Sequence, residues 1–165
     1  MKKVIVVILF GLSVFASEDA SLCIDKVQSF LNVEDNEAVT LNGKEKHSQK
    51  DCFLDMFTRL ERDSDENAIG ELVTSLEVQG KRRGISTSIL KIDESQEVQN
   101  ITKCKAGKKK LVFSYKVRTK DRRYFYNKVT LKKDDEGKLR EAKIVKRFYS
   151  YRVFDKSNRK NVCRF

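Results

Sequence analysis

The chain has no proline, no tryptophan and a single histidine in 165 residues. Without proline, glycine and polar clusters are left as the turn signals; the absence carries no functional reading. The lone His47 sits between Lys46 and Ser48 in a polar stretch. A catalytic imidazole works with a nucleophile and an orienting acid, and no motif supplies either. A P-loop, a dinucleotide-binding glycine pattern and the close cysteine spacing of structural zinc are missing too. No catalytic residue, cofactor or metal is therefore expected. Asp51 and Asp55 are four residues apart, which on a helix makes them the wet face opposite Phe53 and Phe57.

Long apolar runs are also scarce. The one at the start, Val4 to Phe15, follows Lys2 and Lys3 and is interrupted only by Gly11 and Ser13. Two lysines, an apolar stretch and the small residues around Val14-Phe15-Ala16 predict a secretory leader over residues 1–16, cleaved after Ala16 or, failing that, after Ser17. A membrane anchor needs roughly 20 apolar residues, and this run stops at Ser17-Glu18-Asp19. The expectation is one exported domain over 17–165, secreted or, in a bacterium, periplasmic, and monomeric.

What is present fits export. Cys23, Cys52, Cys104 and Cys163 are even in number and all follow the leader, which predicts two disulfides. Three connectivities are possible; Cys23–Cys52 with Cys104–Cys163 is expected, since each pair joins segments of similar predicted character. Charge is strongly segregated. Residues 17–100 carry 10 Lys and Arg against 18 Asp and Glu, whereas residues 101–165 carry 23 against 6.

Hydrophobic spacing predicts helices first and strands last. Leu22, Val27, Phe30 and Leu31 form one helical stripe, with Ser21 or Asp19 as its cap. Residues 34–49 are polar, contain Asn42-Gly43, and read as a loop. Cys52, Phe53, Met56, Phe57 and Leu60 predict a second helix capped by Ser48. Ile69, Leu72, Val73 and Leu76 predict a third, ended by Gly80, although Leu72-Thr74-Leu76-Val78 also fits a strand. From Ile85 the period becomes two. Strands are expected over Ile85–Ile92, Leu111–Val117, Tyr124–Lys132 and Leu139–Phe154, the last with a bulge where alternation slips between Ile144-Val145 and Phe148-Tyr149. The predicted class is α+β: two or three N-terminal helices on a curved antiparallel sheet of about four strands.

This order resembles the cystatin-like and nuclear-transport-factor-2-like folds, over roughly residues 20–155. The resemblance implies a curved sheet wrapped around helices. Cystatin-type inhibitors use Gln-x-Val-x-Gly; here Gln96-Glu97-Val98-Gln99-Asn100 matches until Asn100 replaces the glycine. The cysteines also span the whole chain, where the extracellular cystatins keep both bridges in the C-terminal half.

The strongest candidate surface is basic. Lys116 and Arg118 share a strand face, as do Lys128 and Lys132, and Lys143, Lys146 and Arg147 lie on the next strand. Tyr115, Tyr124, Tyr126, Tyr149 and Tyr151 are interleaved. Cations among aromatic rings suit a polyanion, although Lys, Arg and Thr are also ordinary on the wet side of a sheet. Export makes nucleic acid unexpected and leaves glycosaminoglycan, anionic lipid or an acidic protein. The expectation is a non-enzymatic binding domain using Lys116, Arg118, Lys128, Lys132, Lys143 and Arg147. The alternative is a small apolar ligand between helices and sheet, lined by Phe113, Phe125, Phe148 and Tyr151; a cystatin-like inhibitor and an enzyme on the same scaffold rank below it. Self-association, acidic helices against a basic sheet, is a further possibility. The run Lys108-Lys109-Lys110 reads as a solvated turn, and Asn100-Ile101-Thr102 is a glycosylation sequon, used in a eukaryotic source.

Overall fold

The computed structural model describes residues 14–62, 68–82, 84–92, 98–118, 124–149 and 159–165. Among the described residues one helix, α1 (Val14–Leu31), precedes nine strands: β1 (Ala38–Glu45), β2 (Asp51–Arg62), β3 (Ala68–Val78), β4 (Ser86–Ile92), β5 (Val98–Ala106), β6 (Lys110–Arg118), β7 (Tyr124–Lys133), β8 (Leu139–Tyr149) and β9 (Arg159–Arg164). They form a single antiparallel sheet in the order β4-β3-β2-β1-β9-β8-β7-β6-β5. Two meanders, β1 to β4 and β5 to β9, are thus joined where β1 pairs with β9 through Lys44↔Arg164 and Glu45↔Cys163.

This architecture overturns the expected α+β arrangement. The segment of Cys52, Phe53, Met56, Phe57 and Leu60 is strand β2, whose inner face carries Cys52, Leu54 and Met56, each at most 2 % exposed. Helical spacing arose because Phe53 and Phe57, half-buried on the outer face, fill the gaps in a period-two pattern. In β3 the strand reading prevails, with Leu72, Thr74, Leu76 and Val78 buried on alternate positions. Gly80 (φ +64°) lies in the β3–β4 turn instead of capping a helix. The polar stretch expected to be a loop contains β1, with Asn42-Gly43 inside the strand. Strands β5 and β9 went unanticipated. The bulge expected in the second half of β8 is absent from its ladder with β7, which runs unbroken from Tyr149 to Glu141; the register shifts at Lys132/Lys133.

The inner face of the sheet encloses the core and α1. Cys23, Ile24 and Val27 of the helix are fully buried, while Leu22, expected on the apolar stripe, is 50 % exposed. They pack with Leu54, Leu72, Leu90, Leu111, Phe113, Leu131 and Ile144 in one cluster. Each such side chain contributes roughly 1.5–3 kcal/mol of burial. The sheet rolls far enough that β4 packs against β7, β8 and β9. The buried Tyr115 hydroxyl on β6 reaches across to Ser88 Oγ at 2.9 Å and donates to the Ile89 carbonyl on β4, and burial pushes its phenol well above the ordinary tyrosine value. Asn161 Nδ2 on β9 donates to the Gly84 carbonyl at 2.5 Å and to Ser86 Oγ at 3.1 Å. The β4 and β5 margins also meet, where Lys91 N–H donates to Gln99 Oε1 at 2.9 Å.

The disulfides are Cys23–Cys104 and Cys52–Cys163, with Cα separations of 5.7 and 5.9 Å. The expected pairing is thus replaced. A helix-to-helix clasp was anticipated for Cys23 and Cys52, but Cys52 is on a strand beside the β1–β9 junction, and Cys23 faces β5. The first bridge ties α1 to the margin of the sheet; the second ties β2 to β9. Gly43 lets that junction close, since a Cβ there would collide with the Arg164 carbonyl and the Phe165 ring. The two bridges suit an oxidising compartment. Among the described residues no helix is long and apolar enough to cross a membrane. The leader expected over 1–16 falls mostly outside the described residues, as do Gln96 and Glu97 of the cystatin-like stretch.

His47 and Ser48 form the turn after β1 around a buried carboxylate. Glu45 Oε2 accepts from His47 N–H (3.0 Å), Ser48 N–H (2.6 Å) and Ser48 Oγ (2.8 Å), and Lys81 Nζ lies 3.8 Å from its other oxygen. Burial alone would raise this carboxyl, but the Ser48 and His47 donors and Lys81 together hold it below the usual value of 4.5.

Peptide mapping under non-reducing conditions should recover the Cys23–Cys104 and Cys52–Cys163 links, and the paired Cys23→Ser, Cys104→Ser change should lower urea stability by roughly 2–5 kcal/mol. Glu45 stabilises the fold fully above its unfolded value of 4.5, and that contribution is lost as pH falls through the lower folded-state value. Glu45→Gln should therefore lower the urea midpoint at neutral pH and lose less further stability than wild type on moving to about pH 3.

Candidate anion-binding face

Alternation and register decide where the charges of β5 to β9 lie. On β6, Leu111, Phe113, Tyr115 and Val117 belong to the core, so Lys110, Val112, Ser114, Lys116 and Arg118 point outward. Cross-strand pairing extends each of these into a rung. Lys116 stands opposite Asn100 on β5 and Tyr126 on β7, and Tyr126 opposite Arg147 on β8. The next rung runs Lys103, Ser114, Lys128, Val145 and Lys160; the one beyond it Lys105, Val112, Thr130, Lys143 and Val162. A further rung holds Lys110, Lys132, Glu141 and Arg164. At the other end Arg118 faces Tyr124, its guanidinium 6.0 Å from the ring centroid.

All six residues expected to bind an anion, Lys116, Arg118, Lys128, Lys132, Lys143 and Arg147, therefore share one face. The fold adds Lys103, Lys105, Lys160 and Arg164, missed because β5 and β9 were not recognised as strands, and Lys110, the first residue of β6, which had been read as part of a solvated turn. Lys146 is separated from them. It lies on the opposite side of β8, with its ammonium 5.6 Å from the Phe125 ring centroid.

Strand spacing of about 4.8 Å and a same-face repeat of about 6.8 Å set a dense lattice of cations. Val112, Thr130 and Val162 are at most 8 % exposed, although their rung also holds Lys105 and Lys143. Glu141 is the carboxylate within this lattice. It forms an ion pair with Lys132 at 2.7 Å; burial works to raise it, but Lys132, Lys46 and Arg164 hold it below the ordinary range. No ion pair engages Lys116, Arg118, Lys128, Lys143 or Arg147 among the described residues. Partial burial lowers the Lys143 ammonium below the usual lysine value, and repulsion from Lys160 and Lys128 adds to this.

At the aromatic end of the face a hollow of about 420 Å³ is lined by Lys116, Tyr124, Phe125, Tyr126 and Arg147. The residues expected around an apolar ligand are not gathered in one place. Phe113 is packed into the core, Phe125 borders both core and hollow, and the side chains of Phe148 and Tyr151 lie outside the described residues. His47 and the Asp51/Asp55 pair stand apart from the basic face. Asp51 pairs with Lys44 at 2.5 Å and Asp55 accepts from Thr40 Oγ at 3.0 Å, both from exposed positions on β2. Lys109 in the β5–β6 turn pairs with Asp135. Asn100 is exposed on β5.

Lys143 is lowered by burial first and by its like-charged neighbours second. In NMR titration of dimethylated lysines its resonance should titrate below those of the other lysines on this face, and Lys160→Gln should move it upward; an unchanged value would deny the repulsion. Comparison with protein-family models, curated proteins and solved structures finds no match for this chain.

Proposed function

We propose that the chain is an exported, non-enzymatic binding protein, secreted or periplasmic, that holds a polyanion on the outer face of β5 to β9. The observation that carries this reading is the convergence of Lys116, Arg118, Lys128, Lys132, Lys143 and Arg147 on one face, where Glu141 is the only acidic member of the described rungs. Placing so many cations on one lattice costs mutual repulsion, which a bound polyanion relieves while releasing its own counterions.

The mature, oxidised protein should elute from heparin later than a basic protein matched in size and charge. If about four anionic groups are engaged, affinity should fall on the order of a hundredfold between 50 and 200 mM salt. Lys128→Glu with Lys143→Glu should advance elution strongly, whereas Lys91→Glu, on β4, should have a smaller effect. Elution with the matched control, insensitive to where the charge is reversed, would overturn the reading; salt-independent uptake of an apolar probe would redirect attention to the core side of the sheet.

A further inference from the structure

The basic face is not uniform along its length. Around Lys128 and Lys143 the cations are interleaved with Val112, Thr130, Val145 and Val162, so that region offers charge without a ring to stack on. At the other end, Lys116 and Arg147 stand directly on either side of Tyr126, and the three line the same hollow with Tyr124 and Phe125. Tyr124 is 40 % exposed.

We propose that this hollow is a subsite for one sulfated sugar unit, with the sulfate shared by Lys116 and Arg147 and the sugar ring laid against Tyr126 and Tyr124. The proposal rests on the polyanion reading above and adds its ligand class. Lys116 and Arg147 are two strands apart, about 10 Å between backbones, a span that two long side chains can close onto a single anion. Neither is engaged by an ion pair among the described residues, so an incoming anion displaces no protein partner. The rings supply what charge alone does not, a flat apolar surface for the C–H face of a pyranose. The hollow, at about 420 Å³, is near the lower end of small-ligand sites, a size suited to a short saccharide. A sulfated polysaccharide then has both of its features met: one ring and its sulfate in the hollow, and successive anionic groups along the Lys128–Lys143 region. Single-stranded nucleic acid also combines rings with anions, but the two disulfides favour a compartment where sulfated glycans are the commoner polyanion.

The test is titration of the oxidised protein with a sulfated disaccharide, its unsulfated counterpart and a short oligothymidylate, beside heparin chromatography of the same variants. Because the chain has no tryptophan, tyrosine emission reports on the hollow without a dominant indole signal. Wild type should bind the sulfated disaccharide with a change in tyrosine emission and bind the unsulfated one much more weakly. Tyr126→Ala should weaken the sulfated disaccharide by about fivefold or more, a loss on the scale of one stacked ring, and Tyr126→Phe should restore it. Lys143→Glu should advance heparin elution while leaving disaccharide affinity within about twofold, since its charge lies outside the hollow. Equal disaccharide affinity in wild type and Tyr126→Ala, with heparin retention intact, would overturn the subsite and leave the polyanion reading standing. Loss of specific heparin retention in wild type would overturn both. Tyr126-dependent binding of oligothymidylate without binding of the sulfated disaccharide would overturn the sugar in favour of nucleic acid.

Discussion

Everything in this fold depends on the junction between β1 and β9. Each meander forms through short-range hairpins, but the two become one sheet only where Lys44 and Glu45 meet Arg164 and Cys163. That contact joins residues more than a hundred positions apart, so its loop-closure entropy must be met before the long-range pairing itself rewards it. Three features offset the cost. Gly43 has no side chain to hold Arg164 and Phe165 away. The buried Glu45 carboxylate organises the turn that leaves β1. The Cys52–Cys163 bridge closes a separation of 111 residues, which in the chain-entropy model removes roughly 4.8 kcal/mol of freedom from the unfolded state.

The junction also determines how charge is displayed. In a meander, neighbours in sequence remain neighbours in space. The acidic first part and basic second part of the chain therefore become two regions of one sheet, and are not mixed by crossovers. On the outer face of β1 to β4, Asp55, Glu71 and Glu77 stand among Arg59 and Lys91, and several are paired. On β5 to β9 the cations stand next to one another, with Glu141 between Lys132 and Arg164. Partial burial lowers the proton affinity of Lys143, and repulsion from Lys160 and Lys128 within that crowd adds to it.

The inner face plays the complementary part. Tyr115 and Asn161 carry hydrogen bonds from one meander to β4, and Cys23–Cys104 pins α1 between them. With the core occupied by Phe113, Leu131 and Ile144, the exposed rungs of β5 to β9 are a rigid lattice, not a mobile loop, and their spacing is set by backbone pairing.

From sequence alone, β4, β6, β7 and most of β8 were legible, because β-branched and aromatic residues alternate through most of their length. The basic face was legible for the same reason: alternation assigns Lys116 with Arg118 and Lys128 with Lys132. β2 was not, and for β3 the strand was only the second reading, since Phe53, Phe57, Ile69 and Val73 on their outer faces complete a false helical period and local spacing cannot tell which apolar residues will be enclosed. β1, β5 and β9 are too polar to announce themselves, and their strand character comes from the partners that satisfy their backbone groups. The sequence by itself determined that four cysteines would pair and that positive charge would concentrate in the last strands, since composition and local alternation suffice for both. Which cysteines pair, which lysines join the face from β5 and β9, and that Lys116, Tyr126 and Arg147 bound one hollow were decided only by tertiary structure, because each depends on strand order and register between residues distant in the chain.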